Sequence, residues 1–360
     1  MKSGSLDHLD NQSLIKSLDS SSCLASIKNL PLQILTAWKC VSDMKLNPIP
    51  DISGIYFCGM GGSVYAGRII KSLFRYSLTV PVEIVDNYHL PASVNKNSLI
   101  VCASYSGNTE ETISACRQAL SQKLNLIGVT SGGTLLGLLK ANSKPVYVFE
   151  DKLNPSRQPR LGQGYIIASV LAFLAKLKLL EIDTKSISDL SNYLSCESEK
   201  LKESISLSLN PAKKLTIAFG EKVVNFVASE FLEGAVHAIR NPINESSKHF
   251  ASYFIIPELN HHLLEGLKFP SGFQSQNIFA FIKSSFYSDK IKKRMNITKD
   301  VVSQNGLETI IIDLKGKSPF IQVFELIQLL NFVSFYLAVY HKINPAPVPW
   351  VDYLKEKLSR

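Results

Sequence analysis

The sequence lacks the short motifs that identify nucleotide-binding proteins and metalloproteases. It has no GxxxxGK motif followed by Ser or Thr, and the glycine-rich stretch GMGGSVYAG does not have the GxGxxG spacing of a dinucleotide site. It has no HExxH motif, and its six cysteines form no CxxC pair and no Cys/His metal pattern. We therefore expect neither a nucleotide nor a metal, and we predict no cofactor.

Features of nucleic-acid-binding, secreted and membrane proteins are also missing. The formal net charge is +9, but Lys and Arg are spread along the chain and form no basic stripe interleaved with aromatics. This positive charge fits either simple solubility or an anionic substrate. The Ser/Asp-rich start, MKSGSLDHLDNQSLIKSLDSSS, has no apolar signal core. The longest apolar stretch, FIQVFELIQLLNFVSFYLAVY, predicts a helix buried in the protein because it contains Gln322, Glu325, Gln328 and Asn331.

The cysteines indicate the compartment. Cys58 and Cys102 lie within apolar runs and are interpreted as small core residues. With no pattern of paired cysteines, a reducing cytoplasm is the expected location. We predict a cytoplasmic protein that binds neither nucleic acid nor a membrane.

Short apolar runs alternate with helical patterns in the first half of the chain. After a helix predicted over residues 32–43, ISGIYFCGM predicts a buried strand and VYAGRIIKSLFRYS a helix. Further strands are predicted at VEIVDN, SLIVCAS, LNLIGVTS and PVYVFE, with helices at ISACRQALSQK and GYIIASVLAFLAKLKLLEI. This order is typical of an α/β fold whose parallel sheet is covered by helices on both faces.

A similar order is predicted for the second half. Residues 183–210 are Ser- and Lys-rich and predict a helical bridge. LTIAFG (residues 215–220), IFAFIKS and TIIIDL predict strands, while NFVASEFLEGAVHAI, DKIKKRMNITKDVVSQ and the apolar stretch before the C-terminus predict helices. We therefore expect two doubly wound parallel-sheet domains, residues 46–182 and 211–344. They would be flanked by an N-terminal helical segment, residues 1–45, and a C-terminal helix, residues 345–360.

Two loops rich in glycine and hydroxyl groups follow predicted strands. The first loop, residues 59–63, reads GMGGS, and the second loop, residues 104–109, reads SYSGNT. In a doubly wound sheet ligands bind at the carboxyl ends of the strands, where backbone N–H groups and helix N-termini attract anions. Helix capping by Thr109-Glu110-Glu111-Thr112 is the structural alternative. Because capping explains only one or two of these residues, the two loops predict a phosphate site.

Five motifs together resemble those of a known family. CGMGGSVYAG, SYSGNTEET, QPRLGQGY, NESSK and PELNH occur in the order found in the sugar isomerase (SIS) superfamily and, more narrowly, in bifunctional phosphoglucose/phosphomannose isomerases. The resemblance extends from about residue 55 to the C-terminus. It implies two SIS domains, a homodimer and metal-free isomerisation of aldose and ketose 6-phosphates. The residues that it implies for phosphate binding are Gly61, Gly62, Ser63, Ser104, Ser106 and Thr109.

The resemblance also implies a catalytic pair. Arg160, in QPRLGQGY, would face the developing enediolate oxygen, since a guanidinium stays charged and stabilises an oxyanion. Without the motif, Arg160 would be interpreted as a surface or ion-pairing arginine. Glu245, in NPINESSK, would move a proton between C1 and C2. Taken alone, Glu245 would be a solvated residue in a polar turn.

Two further catalytic residues each have a neighbouring alternative. His261, in PELNH, would open the sugar ring and would reach the site of the partner subunit, with His262 as the competing histidine. Lys355, in VDYLKEKL, would contact the sugar from the C-terminal helix, with Lys357 as the competing lysine. Either lysine could also be an ordinary helix-surface residue.

The chain departs from the family in two places. The family's arginine motif is closer to PRxALGY, whereas this chain has an extra glycine in the segment LGQG (residues 161–164). Ala346, in NPAPV, stands where the family commonly has a threonine that is associated with acceptance of the mannose epimer.

The sequence therefore predicts an isomerase that interconverts glucose 6-phosphate, and mannose 6-phosphate as a second aldose, with fructose 6-phosphate. One rival is another SIS reaction such as amino-sugar isomerisation, which would need an ammonia-supplying glutaminase with an N-terminal cysteine; the chain opens with Met1-Lys2-Ser3. The other rival is a sugar-phosphate-sensing SIS module without chemistry. Such a module would be expected to lack Glu245 and His261.

Overall fold

The computed structural model describes residues 7 to 358, so residues 1–6 of the predicted N-terminal segment and 359–360 of the C-terminal segment lie outside the described part. The first sheet is parallel throughout, with the order β2-β1-β3-β4-β5. Every residue of β1 and β3 is buried, as expected for central strands covered on both faces. The strands are β1 (Gly54–Cys58), β2 (Val82–Val85), β3 (Ser98–Ser104), β4 (Asn125–Thr130) and β5 (Val146–Val148).

Helices cover both faces of this sheet. The helices in and before this unit are α1 (Gln12–Leu18), α2 (Cys23–Lys28), α3 (Leu30–Asp43), α4 (Tyr65–Leu73), α5 (Glu110–Ser121), α6 (Gly133–Ala141) and α7 (Gln163–Lys176). Ile55 and Phe57 of β1 face a core shared with α3, α4 and α7. Tyr56 and Cys58, which alternate with them, face a smaller core formed with α5 and α6.

The second sheet is also parallel, with the order β7-β6-β8-β9. Its strands are β6 (Val223–Ser229), β7 (Ala251–Ile256), β8 (Asn277–Lys283) and β9 (Glu308–Asp313). The remaining helices are α8 (Thr184–Leu201), α9 (Pro211–Phe219), α10 (Glu233–Ser246), α11 (Phe273–Gln276), α12 (Asp289–Gln304), α13 (Pro319–Tyr340) and α14 (Pro349–Leu358). The predicted fold class, two parallel α/β sheets with helices on both faces, is confirmed.

The predicted first strand of the second unit is wrong. Residues 215–220 belong to α9 and its C-terminal cap, and the first strand is β6, which the sequence analysis had assigned in part to a helix. Asn210 caps α9 by accepting hydrogen bonds from the backbone N–H groups of residues 212 and 213, and Pro211 occupies the first helical turn. Ala212, Leu215, Thr216 and Phe219 then form a buried stripe with helical spacing. Strand β7 and helix α6 were not predicted.

One continuous core joins the two sheets. It contains residues of β1 and β3 as well as of β6 and β8. Most of the apolar side chains of α13 also lie in this core. Helix α13 is the one helix in the described part that is long and apolar enough to cross a membrane. However, 83% of its most apolar 18-residue segment is buried within the protein. The apolar stretch is therefore a core helix, as the polar residues within it predicted. The domain boundaries remain predictions.

Candidate active site

The two glycine- and hydroxyl-rich loops lie side by side at one edge of the first sheet. They follow β1 and β3, which are hydrogen-bonded neighbours and run parallel. Gly61 and Gly107 have positive φ angles of 51° and 70°, a conformation that favours glycine. A Cβ atom on Gly107 would lie 1.8 Å from the carbonyl oxygen of Gly132. Backbone conformation thus fixes the shape of the second loop.

Hydroxyl groups connect the two loops. The Ser63 hydroxyl accepts a hydrogen bond of 3.0 Å from the backbone N–H of Tyr105. The hydroxyls of Ser104 and Thr109 lie 2.8 Å apart and are hydrogen-bonded to each other. Thr109 is the N-cap residue of α5, yet its side chain makes no capping hydrogen bond. Capping therefore does not explain this threonine, and the loops can present hydroxyl and backbone N–H groups to an anion.

Arg160 lies beside the first loop. It belongs to a short 3₁₀ helix (Pro159–Leu161), and a Cβ atom on Gly62 would lie 3.4 Å from the Pro159 carbonyl oxygen. Its side chain is 1% exposed, and burial lowers the pKa of the guanidinium, while the negative charge of Glu245 opposes that shift. Since an arginine remains charged in any protein environment, this is a fixed positive charge in a dry site.

All five N–H groups of the Arg160 guanidinium have acceptors. Nε donates to the Ser246 hydroxyl at 2.8 Å, and NH2 donates to the carbonyl oxygens of Pro345 and Ala346, both at 2.7 Å. NH1 donates to Gln158 Oε1 at 2.9 Å and to Glu245 Oε2 at 3.5 Å. The contact with Glu245 is the longest of the five. It is therefore the one that a substrate oxygen could replace at least cost.

Glu245 lies in the last turn of α10, so the interpretation of NPINESSK as a polar turn is wrong at this residue. The helix continues past Ile239 through Pro242, whose ring does not end it. The Glu245 side chain is 33% exposed. Burial raises the pKa of Glu245, and the positive charges of Arg160 and then Lys355 oppose the rise. A carboxylate with a raised pKa can both accept and return a proton near neutral pH.

The charges around Glu245 distinguish the two C-terminal lysines. Lys355, on the exposed helix α14, is close enough for its charge to lower the pKa of Glu245. The Lys357 ammonium instead lies over the Tyr353 ring, 5.3 Å from its centroid. This difference supports Lys355 as the lysine that faces the site.

The two histidines differ in their contacts. His262 Nε2 lies 3.0 Å from the Glu258 carboxylate, and its ring is tilted against Phe254. His261 is exposed, and no hydrogen bond or ion pair among residues 7 to 358 joins it to Arg160 or Glu245. Within the described residues, His261 is therefore not bonded to the catalytic pair.

Two residues next to Glu245 were not singled out in the sequence, although both lie inside quoted motifs. The Tyr65 hydroxyl is buried and makes no hydrogen bond of standard geometry with a described residue; burial, and then the charge of Glu245, raises the pKa of Tyr65. The Lys248 ammonium donates to the carbonyl oxygens of Ser246 and Asn344, both at 3.2 Å. Burial, and then the charge of Arg160, lowers the pKa of Lys248 to about 8.

No group of three or more His, Cys, Asp or Glu side chains within residues 7 to 358 is arranged to hold a metal ion. The six cysteines are free thiols, four of them buried. The chemically distinctive groups of this region are therefore hydroxyls, one buried guanidinium, one carboxylate and two lysines.

Two family models match the chain. Residues 51–135 match the SIS domain, and residues 208–358 match the bacterial phospho-glucose isomerase C-terminal SIS domain. The first match contains both loops, and the second contains Glu245, His261 and Lys355. The division of the chain between two SIS models agrees with its two parallel sheets.

Curated proteins and solved structures resemble the chain over nearly its whole length. A bifunctional phosphoglucose/phosphomannose isomerase of Caldicellulosiruptor bescii is 30% identical over 338 residues, which are 93% of this chain and 98% of the relative. One of Aquifex aeolicus is 29% identical over 310 residues, 85% of this chain and 91% of the relative.

Among solved structures, a hypothetical protein of Thermus thermophilus has a TM-score of 0.74 at 15% identity, covering 98% of this chain and 94% of that chain. Tagatose-6-phosphate ketose/aldose isomerase of Escherichia coli has a TM-score of 0.67 at 16% identity, covering 90% of this chain and 94% of that chain. These two likenesses establish the fold. Taken together with the family models and the curated relatives, they show that the chain belongs to the bifunctional phosphoglucose/phosphomannose isomerase family of SIS-domain proteins.

Proposed function

We propose that this protein is a metal-independent aldose–ketose isomerase that interconverts glucose 6-phosphate, and also mannose 6-phosphate, with fructose 6-phosphate. The observation that carries the proposal is the pairing of the buried Arg160 guanidinium with Glu245, beside two loops that can hold a phosphate. The curated relatives that cover most of the chain are named for both isomerisations.

The two loops would anchor the substrate by its phosphate. Gly61, Gly62 and Ser63 of the first loop and Ser104, Ser106 and Thr109 of the second would surround the phosphate oxygens. Ser104 is fully buried, Thr109 is half-buried and Ser106 is exposed, so the hydroxyls line the loops from bottom to rim. Hydrogen bonds to a charged phosphate are stronger than those between neutral groups, which supports a tight anchor at this end of the sugar.

Proton transfer would take place at the Arg160–Glu245 pair. Glu245, as the carboxylate, removes the proton from C2 of the open-chain aldose, and electrons move to the carbonyl oxygen at C1 to give a cis-enediolate. The same carboxyl group returns the proton to C1 while the hydroxyl proton passes from O2 to O1, which leaves a carbonyl at C2 and gives the ketose. The NH1 group of Arg160, whose contact with Glu245 is long, would stabilise the enediolate oxygen, and its charge is most effective because the guanidinium is buried.

Lys355 and His261 would complete the site. The position of Lys355 near Glu245 supports a contact with the sugar, and it would also keep the pKa of Glu245 from rising too far. His261 would open the pyranose ring by moving a proton at the ring oxygen. Because His261 is exposed and makes no hydrogen bond or ion pair with Arg160 or Glu245 within residues 7 to 358, we propose a homodimer in which it enters the site of the partner subunit. A cytoplasmic location remains part of this proposal.

Ala346 bears on the mannose reaction. Its carbonyl oxygen is bound by Arg160 and its side chain is buried, so it lies in contact with one member of the catalytic pair. A methyl group there gives less hydrogen-bonding capacity than the threonine that the family resemblance leads one to expect. We therefore propose that glucose 6-phosphate is the better aldose of the two.

A coupled assay tests the proposal. Each aldose phosphate is offered to the protein in excess chelator, and formation of fructose 6-phosphate is measured. The expected result is turnover of glucose 6-phosphate, slower turnover of mannose 6-phosphate and no effect of added zinc. Binding without turnover would instead indicate a sensing module, and turnover that appeared only with zinc would contradict the proton-transfer mechanism.

A further inference from the structure

The C-terminal arm, residues 344–358, is held to the chain by two cations and by the Asn344 amide, which donates to the Ser20 hydroxyl at 3.0 Å. Lys248 donates to the Asn344 carbonyl at 3.2 Å, and Arg160 donates to those of Pro345 and Ala346, both at 2.7 Å. Three consecutive backbone carbonyls are thus bound by two side chains from distant parts of the sequence. Beyond them, α14 has no buried residue. The contacts at residues 344–346 therefore contribute to the placement of α14, and of Lys355 on it.

The backbone of Lys248 is left-handed, but its side-chain contact is what sets it apart. Lys248 follows α10 and has a φ angle of 52°, in the left-handed region. Glycine, or sometimes asparagine, usually occupies this position after a helix, because any other side chain is sterically disfavoured there. Lys123, Lys178 and Lys342 have the same conformation after α5, α7 and α13, so the backbone alone gives Lys248 no special role. What distinguishes Lys248 is the bond from its ammonium to the Asn344 carbonyl.

The environment of Lys248 places it within the catalytic region. Lys248 is exposed, and its ammonium is close enough to Arg160 and Glu245 for their charges to act on it. It also donates to the Ser246 carbonyl, one residue after Glu245. A single side chain therefore joins the end of the helix that carries Glu245 to the start of the arm that carries Lys355.

We propose that Lys248 is a positioning residue: together with Arg160 it holds the carbonyls of residues 344–346 and so sets where the C-terminal arm presents Lys355 to Glu245. This inference rests on the proposed function, in which Glu245 is the base. It gives Arg160 two roles, with NH1 facing the reacting oxygen and NH2 holding the arm. Lys248 itself would touch no substrate.

Hydrogen exchange of the arm tests the anchorage without reference to activity. Lys248→Met removes the charge, and Lys248→Gly also relieves the left-handed backbone, so that the glycine variant should fold. Both should raise exchange of the amides of residues 346–358 about tenfold or more, while the two loops keep their protection. Lys342 is the matched control, since it is exposed and has a similar φ of 57° after α13. Lys342→Met and Lys342→Gly should leave the arm unchanged.

Kinetics test whether Lys248 acts through Lys355. Lys248→Met should lower kcat for glucose 6-phosphate about tenfold with KM changed less than about twofold, and Lys248→Arg should restore most of it. Adding Lys248→Met to Lys355→Met should lower kcat little further, because the effects of residues that act as a unit are not additive.

Either of two results would overturn the inference: wild-type protection of the arm in Lys248→Gly, or a double variant whose losses multiply. If the wild-type protein shows no isomerase activity, the proposed function fails, and the exchange experiment still decides whether Lys248 holds the arm.

Discussion

The two halves of the candidate site are built in different ways. The loops, residues 59–63 and 104–109, both belong to the first sheet and directly follow adjacent strands, and their shape depends on backbone conformation at Gly61 and Gly107. The catalytic half is assembled from residues far apart in sequence, because Arg160 bonds Glu245 across 85 residues and the Pro345 carbonyl across 185. The phosphate half should therefore be rigid and self-contained. The catalytic half should respond to changes at several distant positions.

The largest expected effect separates binding from chemistry. Replacing Ser104 and Thr109 together with alanine should raise KM for glucose 6-phosphate by about 100-fold or more, since each lost hydrogen bond to a charged group is worth ~1.5–3 kcal/mol. The effect on kcat should be much smaller. Ser121→Ala, at the exposed end of α5, removes a hydroxyl outside the site and is the control. Unchanged KM in a folded double variant would show that the phosphate binds elsewhere.

A mixing experiment tests whether the catalytic half extends over two subunits. His261→Ala and Glu245→Gln homodimers should each be nearly inactive. If His261 serves the partner subunit, a mixed dimer keeps one intact site. Because half of the dimers are then mixed, random exchange of subunits should recover about a quarter of wild-type activity. The readout is turnover before and after subunit exchange. No recovery, with mixed dimers demonstrated by mass spectrometry, would place His261 and Glu245 in the same subunit's site or nowhere near each other.

The pH dependence of kcat/KM tests whether Lys355 faces Glu245. The positive charge of Lys355 lowers the pKa of Glu245, so Lys355→Met should raise that pKa. Glu245 must be ionised to act as the base, and the pH profile of kcat/KM reports ionisations of the free enzyme. The acid limb of that profile should therefore move to higher pH by about one unit or less. Lys357→Met is the matched control, because that ammonium lies over Tyr353. Equal shifts in both variants, or none in either, would contradict the assignment of Lys355.

The smallest expected effect is on the free energy of unfolding. It tests whether the phosphate half is as rigid as its backbone conformation implies. Gly107→Ala should lower the free energy of unfolding by about 1–2 kcal/mol from the left-handed backbone alone, with a further loss from the contact with Gly132. Gly137→Ala, inside α6 with open space around the added methyl group, should raise it by ~0.5–1 kcal/mol. Urea denaturation measures both. If Gly107→Ala proved as stable as the wild type, the second loop would not be fixed by its backbone.

The same contrast explains what could be predicted from the sequence. Glycines and hydroxyls after an apolar run predict a loop at the end of a strand, and both loops lie where this pattern placed them. The short segment LTIAFG, residues 215–220, was predicted as the first strand of the second unit. The segment is helical instead, because a buried stripe with helical spacing starts at Ala212 and Asn210 caps the helix. Local pattern was ambiguous there because the segment is short.

The surroundings of the catalytic pair could not be predicted in this way. Arg160 and Glu245 were selected by family resemblance, and no periodicity indicates that Arg160 binds the carbonyls of Pro345 and Ala346. Backbone carbonyls are present at every residue, so their use by a distant side chain leaves no trace in composition. Lys248 left no trace either, because the predicted helix stopped at Ile239 and the left-handed conformation of Lys248 is visible only in the structure.

The measurement that most directly tests the account is exchange of the C2 proton of glucose 6-phosphate with solvent deuterium, followed by proton NMR. Glu245→Gln keeps the shape of the side chain but cannot accept the proton, so exchange should fall by about 100-fold or more. Glu233→Gln, in the first turn of the same helix and on its exposed side, should exchange at the wild-type rate. Near-normal exchange in a folded Glu245→Gln variant would contradict the account, because the base that moves the proton would then lie elsewhere.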